Sequence, residues 1–285
     1  MKNKKNYSGN LKNFKKYIIY FLILFVSTVL LGVGMMRDNQ RQQKQKKISE
    51  AFNNKQYDKT LRTEANTKAL QVYDGLILST FGDSITGQAQ WQPLLVSELG
   101  FSMYNNYGVA GARVSGNFNN AMWQDSRINK IQKESNIILF MGGTNDWSQN
   151  VPLGTLHNND TNTFYGALNV VYDKLVSRFP NAKIIFMSTT FATSPNRNTF
   201  QNKIGLVNNL GLMNIDYGNA IGDVAKARKI PFINLTSIGW NKDNIAKYVA
   251  CDVGFYVHPN ATGGKKMADV IVNRLREIKS MNKSK

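Results

Sequence analysis

Phe81-Gly82-Asp83-Ser84-Ile85-Thr86-Gly87-Gln88 is the stretch on which the reading of this chain turns. Before it lies the apolar run Leu76-Ile77-Leu78-Ser79-Thr80-Phe81, which predicts a buried strand. After it, Trp91 to Leu99 predicts a helix closed by Gly100. Ser84 therefore stands where a strand turns into a helix. Its side chain would be clear at the end of the sheet, beside the free N–H groups of a helical first turn. That is a place for a nucleophile facing a developing anion.

Outward from this junction, strand and helix signals alternate. Phe101 to Tyr107 predicts a short strand, Ile128 to Lys133 part of a helix, and Ile137 to Met141 a strand ending in Gly142-Gly143. Leu168, Val171, Tyr172, Leu175 and Phe179 recur at helical spacing within Phe164 to Phe179, and Pro180 stops that helix. Lys183 to Ser188 again predicts a strand, Ile215 to Lys229 a helix, and Phe232 to Leu235 a last short strand. Met267, Val270, Ile271, Leu275 and Ile278 then stripe a C-terminal helix. Repeated βα units predict an α/β fold: a three-layer α/β/α sandwich around a mainly parallel sheet of about five strands, with the site at the strands' carboxyl ends.

The chain upstream is different. Met1 to Lys16 is lysine-rich, and Tyr17 to Met36 carries no charge at all. As a helix the latter spans about 30 Å, the thickness of a bilayer's hydrocarbon core. The expected organisation is a basic cytoplasmic tail over 1–16, a transmembrane signal-anchor helix over 17–36, a polar stalk over 37–73 and a catalytic domain over 74–285. With the six-lysine tail held inside, that domain faces the exterior of the cell membrane, or is secreted if the segment is cleaved.

The net charge of +18 follows the same division. Residues 1 to 47 carry eleven Lys and Arg against Asp38 alone, a net +10, which leaves +8 for the other 238 residues. Charge flanking an apolar segment fits a membrane surface, and no nucleic-acid-binding pattern accompanies it. Cys251 is the only cysteine, so neither an intrachain disulfide nor a cysteine-based metal cluster can form. No cofactor or metal is expected.

Three further clusters sit after predicted strands or in the last loop: Asn106-Tyr107-Gly108-Val109-Ala110-Gly111-Ala112-Arg113, Gly142-Gly143-Thr144-Asn145-Asp146, and His258-Pro259-Asn260. Together with Gly82-Asp83-Ser84-Ile85, in this order, they resemble the sequence blocks of the SGNH/GDSL hydrolases, a family of esterases, lipases and carbohydrate deacetylases with a flavodoxin-like fold. The resemblance runs from Gly75 to about Lys279. It implies Ser84 as nucleophile and His258 as general base. It also implies an oxyanion hole made by the N–H groups of Ser84 and Gly111 and the side-chain amide of Asn145, with Gly108 an earlier turn residue. His157, the other histidine, lies in a polar loop and reads as a surface residue.

One position departs from the family's pattern. An aspartate three residues before the histidine is usual, and Phe255 stands there; the nearest upstream acid is Asp252, six before His258. Either Asp252 orients the imidazole across a longer spacing, the favoured reading, or Ser84 and His258 work as a dyad steadied by a backbone carbonyl. The chemistry suits acyl transfer: serine becomes nucleophilic when a base takes its proton, and neutral histidine serves near neutral pH.

The long loops 148–163 and 190–214 are rich in Asn and Thr, with Trp147, Phe191 and Phe200 in or beside them. That mixture favours an O-acylated envelope carbohydrate as substrate. A lipid-directed esterase or thioesterase is the alternative, as is a silent binding module that keeps the fold. Cys251 acting with His258 is a further, minor alternative.

Overall fold

The structure is a computed structural model that describes residues 43, 71–117, 119–193, 207–236, 238–241, 243–252 and 255–283. The predicted anchor over 17–36 and nearly all of the stalk lie outside the described residues. No helix among the described residues is long and apolar enough to cross a membrane.

Five strands form one parallel sheet: β1 (Ile77–Gly82), β2 (Met103–Gly108), β3 (Ile137–Met141), β4 (Lys183–Met187) and β5 (Phe232–Ile233), in the order β2-β1-β3-β4-β5. This is the doubly wound order in which the chain reverses direction across the sheet between β1 and β3. β1, β3 and β4 are buried almost throughout, which is why they read as unbroken apolar runs rather than alternating ones. Parallel register sets Phe81 beside Phe140 and Phe140 beside Phe186. Their rings follow at 6.1 and 4.7 Å between centroids, an aromatic row across the middle of the sheet. β2, at the edge, is only half-buried and carries Tyr104, Asn105, Asn106 and Tyr107.

The helices are α1 (Ser84–Gly87), α2 (Gln92–Leu99), α3 (Asp125–Ile128), α4 (Thr144–Ser148), α5 (Phe164–Arg178), α6 (Asn214–Ala227), α7 (Ile245–Tyr248) and α8 (Ala261–Lys283). The longer ones pack in two pairs, α2 with α8 and α5 with α6. Pro93 lies in the first turn of α2 (Gln92–Leu99). Gly100, at φ +81°, closes the helix, as the sequence suggested. Met267, Ile271, Leu275 and Ile278 are buried along α8, with Val270 half-buried at the stripe's margin.

Two expectations needed correction. Ile128 to Lys133, expected to be part of a helix, contribute only Ile128 to a single turn, Asp125–Ile128, which ends at the C-cap Asn129. Gly108 is not in a turn: it ends β2, paired with Gly82. The sequence reading also missed an antiparallel hairpin, β6 (Val249–Cys251) and β7 (Tyr256–Pro259), in which Val249 faces Pro259 and Ala250 faces His258, with a bulge between Ala250 and Cys251. Strands of three and four residues are too short to show a period.

Candidate active site

Ser84 is the first residue of α1, one residue beyond the end of β1. Asp83 is the N-cap, and its carboxylate accepts the Ile85 N–H at 3.0 Å. The other end of the turn is tied as well: the Thr86 carbonyl accepts from Gln92 Nε2 at 2.8 Å and from Asn106 Nδ2 at 2.9 Å. Arg127, buried over the Phe81 ring, donates to the carbonyls of Gly82 and Tyr107 and so joins the ends of β1 and β2. The serine thus stands on a turn fixed from both sides.

His258 comes from β7, 174 residues later. Its Nε2 is 2.8 Å from Ser84 Oγ, and its Nδ1 is 2.8 Å from each carboxylate oxygen of Asp252. A carboxylate only accepts, so the ring carries its proton on Nδ1 and presents the Nε2 lone pair to the serine hydroxyl. The β6–β7 hairpin explains the spacing. The chain doubles back after Cys251, and an acid six residues upstream returns to the histidine that a three-residue turn would otherwise serve. Phe255, at the position where the usual pattern has the acid, is instead turned outward, 41 % exposed, with its ring 6.5 Å edge-on from Trp147. Both nitrogens of His258 face Ser84 and Asp252 rather than the exposed Cys251. His157 is exposed in its loop.

Gly111 and Asn145 lie beyond the carboxyl ends of β2 and β3, the two strands that flank β1. Gly111 is exposed and holds φ +71°, the left-handed conformation that favours glycine. Asn145, in α4 beyond the end of β3, donates one of its two amide N–H groups to the Ala112 carbonyl at 2.9 Å. The loop of Gly111 and the helix of Asn145 are locked together by Asp146, which is fully buried. Its carboxylate accepts from the N–H groups of Val114 and Ser115 at 2.9 and 3.0 Å and from the Ser115 hydroxyl at 2.6 Å.

Two buried carboxylates therefore lie under the site, and burial raises the pKa of both. It pushes Asp83 up to about 7, with the nearby Asp146 adding to the effect and the Ile85 N–H opposing it. Asp146 is raised by burial against the pull of its three donors and of Arg113. Sequence reasoning assigned no role to Asp83, Asp146, Arg127, Gln92, Asn106 or Ser115. Asp83 had a local signal, an aspartate opening a helix after a strand. Asp146 and Arg127 had none, since their partners lie 20 to 45 residues away. Among the described residues no group of three or more His, Cys, Asp or Glu is placed to hold a metal ion.

Such an arrangement can take a proton from a hydroxyl, hold the resulting imidazolium against a carboxylate and receive an anion on nearby N–H groups. Comparison with known proteins agrees with the fold that carries it. A crystal structure of a protein from Lactobacillus plantarum is 25 % identical over 72 % of this chain and 96 % of its own, with a TM-score of 0.60. One described as a possible lipase, from Chitinophaga pinensis, is 20 % identical over 71 % of this chain and 98 % of its own, at 0.55. A carbohydrate acetylesterase family member from Sinorhizobium meliloti is 14 % identical over 72 % and 99 %, at 0.50. No curated protein matches. The GDSL-like Lipase/Acylhydrolase family matches residues 80–266, from β1 through the nucleophile turn and the histidine hairpin into α8, and the chain belongs to that family.

Proposed function

We propose that this chain is a serine esterase that removes an acetyl or other short acyl group from an envelope carbohydrate through an acyl-enzyme on Ser84. One observation carries the reading: the unbroken relay from Asp252 through His258 to Ser84 Oγ, each step at 2.8 Å. As Oγ bonds to the acyl carbon, His258 Nε2 takes the hydroxyl proton. Negative charge moves to the former carbonyl oxygen, where the N–H groups of Ser84 and Gly111 and the amide of Asn145 receive it. The imidazolium then gives its proton to the leaving alcohol oxygen, and the C–O bond breaks. Water repeats the sequence on the acyl-enzyme, losing its proton to His258 and releasing the acid.

The relay also argues against a silent binding module, because Asp252 supplies the acid that Phe255 does not. Carbohydrate as the acyl carrier is supported by the polar composition of loops 148–163 and 190–214; residues 194–206 of the second lie outside the described residues. The uncharged run over 17–36 with its basic flanks supports a single membrane anchor with the catalytic domain outside. Resistance of the full chain to extraction by carbonate, together with digestion by protease added outside cells, would check that placement.

The test of the activity is hydrolysis of p-nitrophenyl acetate and butyrate by the full chain and by Ser84→Ala. Activity lost in the variant, with phosphonate labelling of Ser84 in the parent, is expected; equal activity in both would remove the serine mechanism. Release of acetate from acetylated glycans is then compared with release of long acyl chains from lipids. A clear preference for the latter would replace the carbohydrate reading with a lipid-directed one.

A further inference from the structure

Five large apolar side chains are exposed among the described residues: Met103, Val109, Val176, Leu210 and Phe255. Phe255 alone lies between the acid and the base of the relay, three residues after Asp252 and three before His258. Its position is fixed on two sides. Tyr256, next to it, exchanges backbone hydrogen bonds with Thr193, at 2.7 Å from its own N–H and 3.2 Å from that of Thr193. The phenyl ring itself stands edge-on to Trp147, 6.5 Å between centroids. Trp147 is buried and held in turn: its Nε1 donates to the Leu212 carbonyl at 3.1 Å, and its own carbonyl accepts from Asn208 Nδ2 at 3.0 Å. Since Trp147 is two residues beyond Asn145 in α4, the aromatic pair bridges the histidine hairpin and the Asn145 helix.

The order of proton transfers says which part of an ester meets this wall. The acyl oxygen must lie toward Ser84 N, Gly111 N and Asn145 Nδ2. The alcohol oxygen must lie within hydrogen-bond reach of His258 Nε2, because that atom protonates it as it leaves. The alcohol therefore departs toward the histidine, whose strand β7 follows directly on Phe255. A phenyl ring two-fifths exposed and backed by a buried indole is a rigid apolar surface with little conformational entropy to lose on binding. It suits the C–H face of a pyranose ring.

We infer that Phe255, backed by Trp147, is the specificity-determining surface for the alcohol half of the substrate, against which a sugar ring stacks while its acyl group is transferred to Ser84. This rests on the proposed role of Ser84 and His258. It adds that the residue standing in place of the family's usual acid selects the leaving group, and that the wider hairpin both returns Asp252 to His258 and carries Phe255 outward.

Two acetate esters of primary alcohols test it, methyl 6-O-acetyl-glucopyranoside and ethyl acetate, since they share the acyl group and differ in the ring. For the full chain the ratio of their kcat/KM values should favour the sugar ester. Phe255→Ala should lower that ratio roughly three- to tenfold, Phe255→Trp should keep it, and Phe255→Leu, which retains apolar bulk without a ring, should lower it like alanine. A ratio unchanged in Phe255→Ala overturns the inference. So does an effect of Phe255→Ala that follows acyl length, acetate against octanoate of one alcohol, because the ring would then border the acyl chain.

A binding measurement separates this inference from the catalytic reading. Methyl glucopyranoside is titrated into Ser84→Ala and into Ser84→Ala with Phe255→Ala, followed by tryptophan fluorescence. Binding that weakens roughly three- to tenfold in the double variant supports the stacking surface even if no ester is hydrolysed. Equal binding by the two, or none by Ser84→Ala, overturns it even if the esterase reading stands.

Discussion

Asp252 meets His258 from the connection between β6 and β7: both its carboxylate oxygens lie 2.8 Å from Nδ1, although it stands six residues upstream, just after β6 ends at Cys251. Asp252 is 41 % exposed and His258 only 12 %, so the relay is wetter at its acid end than at its base. Asp252→Ala should lower kcat by about 10²–10⁴, with Ser84 still labelled slowly by a phosphonate, because the imidazole loses both its tautomeric preference and its counter-charge. Turnover close to the parent would mean that Ser84 and His258 act as a dyad.

Asn145 is expected to act only once charge has developed on the acyl oxygen. Asn145→Ala should therefore lower kcat by about 10²–10³ and leave KM little changed. A rise in KM with kcat intact would place the amide in substrate binding. Asn145→Ala also frees the Ala112 carbonyl from its 2.9 Å bond, so a melting curve should accompany the kinetics to show that the Gly111 loop is still folded.

Gly108 and Gly111, three residues apart, should both lose stability on substitution by alanine, Gly108 more and for a different reason. A Cβ on Gly108 would lie 2.2 Å from Gly87 N and 2.6 Å from Gly87 Cα, so the backbone that carries Ser84 would have to move. At Gly111 nothing lies within 4 Å of a Cβ, and only the φ of +71° opposes the change. Gly108→Ala should cost about 1–3 kcal/mol of stability and most of the activity. Gly111→Ala should cost about 1 kcal/mol. Urea unfolding of both variants checks the order, and equal losses would refute the close-packing argument.

The parallel sheet was legible because β1, β3 and β4 are buried on both faces, and burial on both faces writes itself as a continuous apolar run. The four sequence clusters were legible for a related reason: each falls at the end of a strand or before a helix, where local chain chemistry is restrictive. Asp146 stood in one of those clusters without a role of its own, yet it is the buried acceptor that ties its cluster to the residues just after another. Its partners Val114 and Ser115 lie 32 and 31 residues upstream, beyond the reach of any periodicity. The hairpin that resolves the spacing of Asp252 was hidden for another reason, that its strands have only three and four residues.

Asp83 should leave a signature in stability as well as in geometry. It is 1 % exposed, and burial pushes its pKa up from 3.8 to about 7 despite the Ile85 N–H. A raised folded-state pKa means that between pH 3.8 and about 7 the native chain holds a proton that the unfolded chain has released. Stability contributed by this group is thus complete below the lower value and falls as pH rises through the window, with no further loss above it. Asp83→Asn cannot ionise, while its amide oxygen can still accept the Ile85 N–H. Relative to the parent, the variant should gain stability from pH 5 to pH 8 in urea unfolding, even though Asp146, raised by the same cause, leaves both proteins with a residual slope of the same sign. Parallel curves for the two proteins would show that Asp83 is ionised throughout that range and that the N-cap bond outweighs the cost of burial.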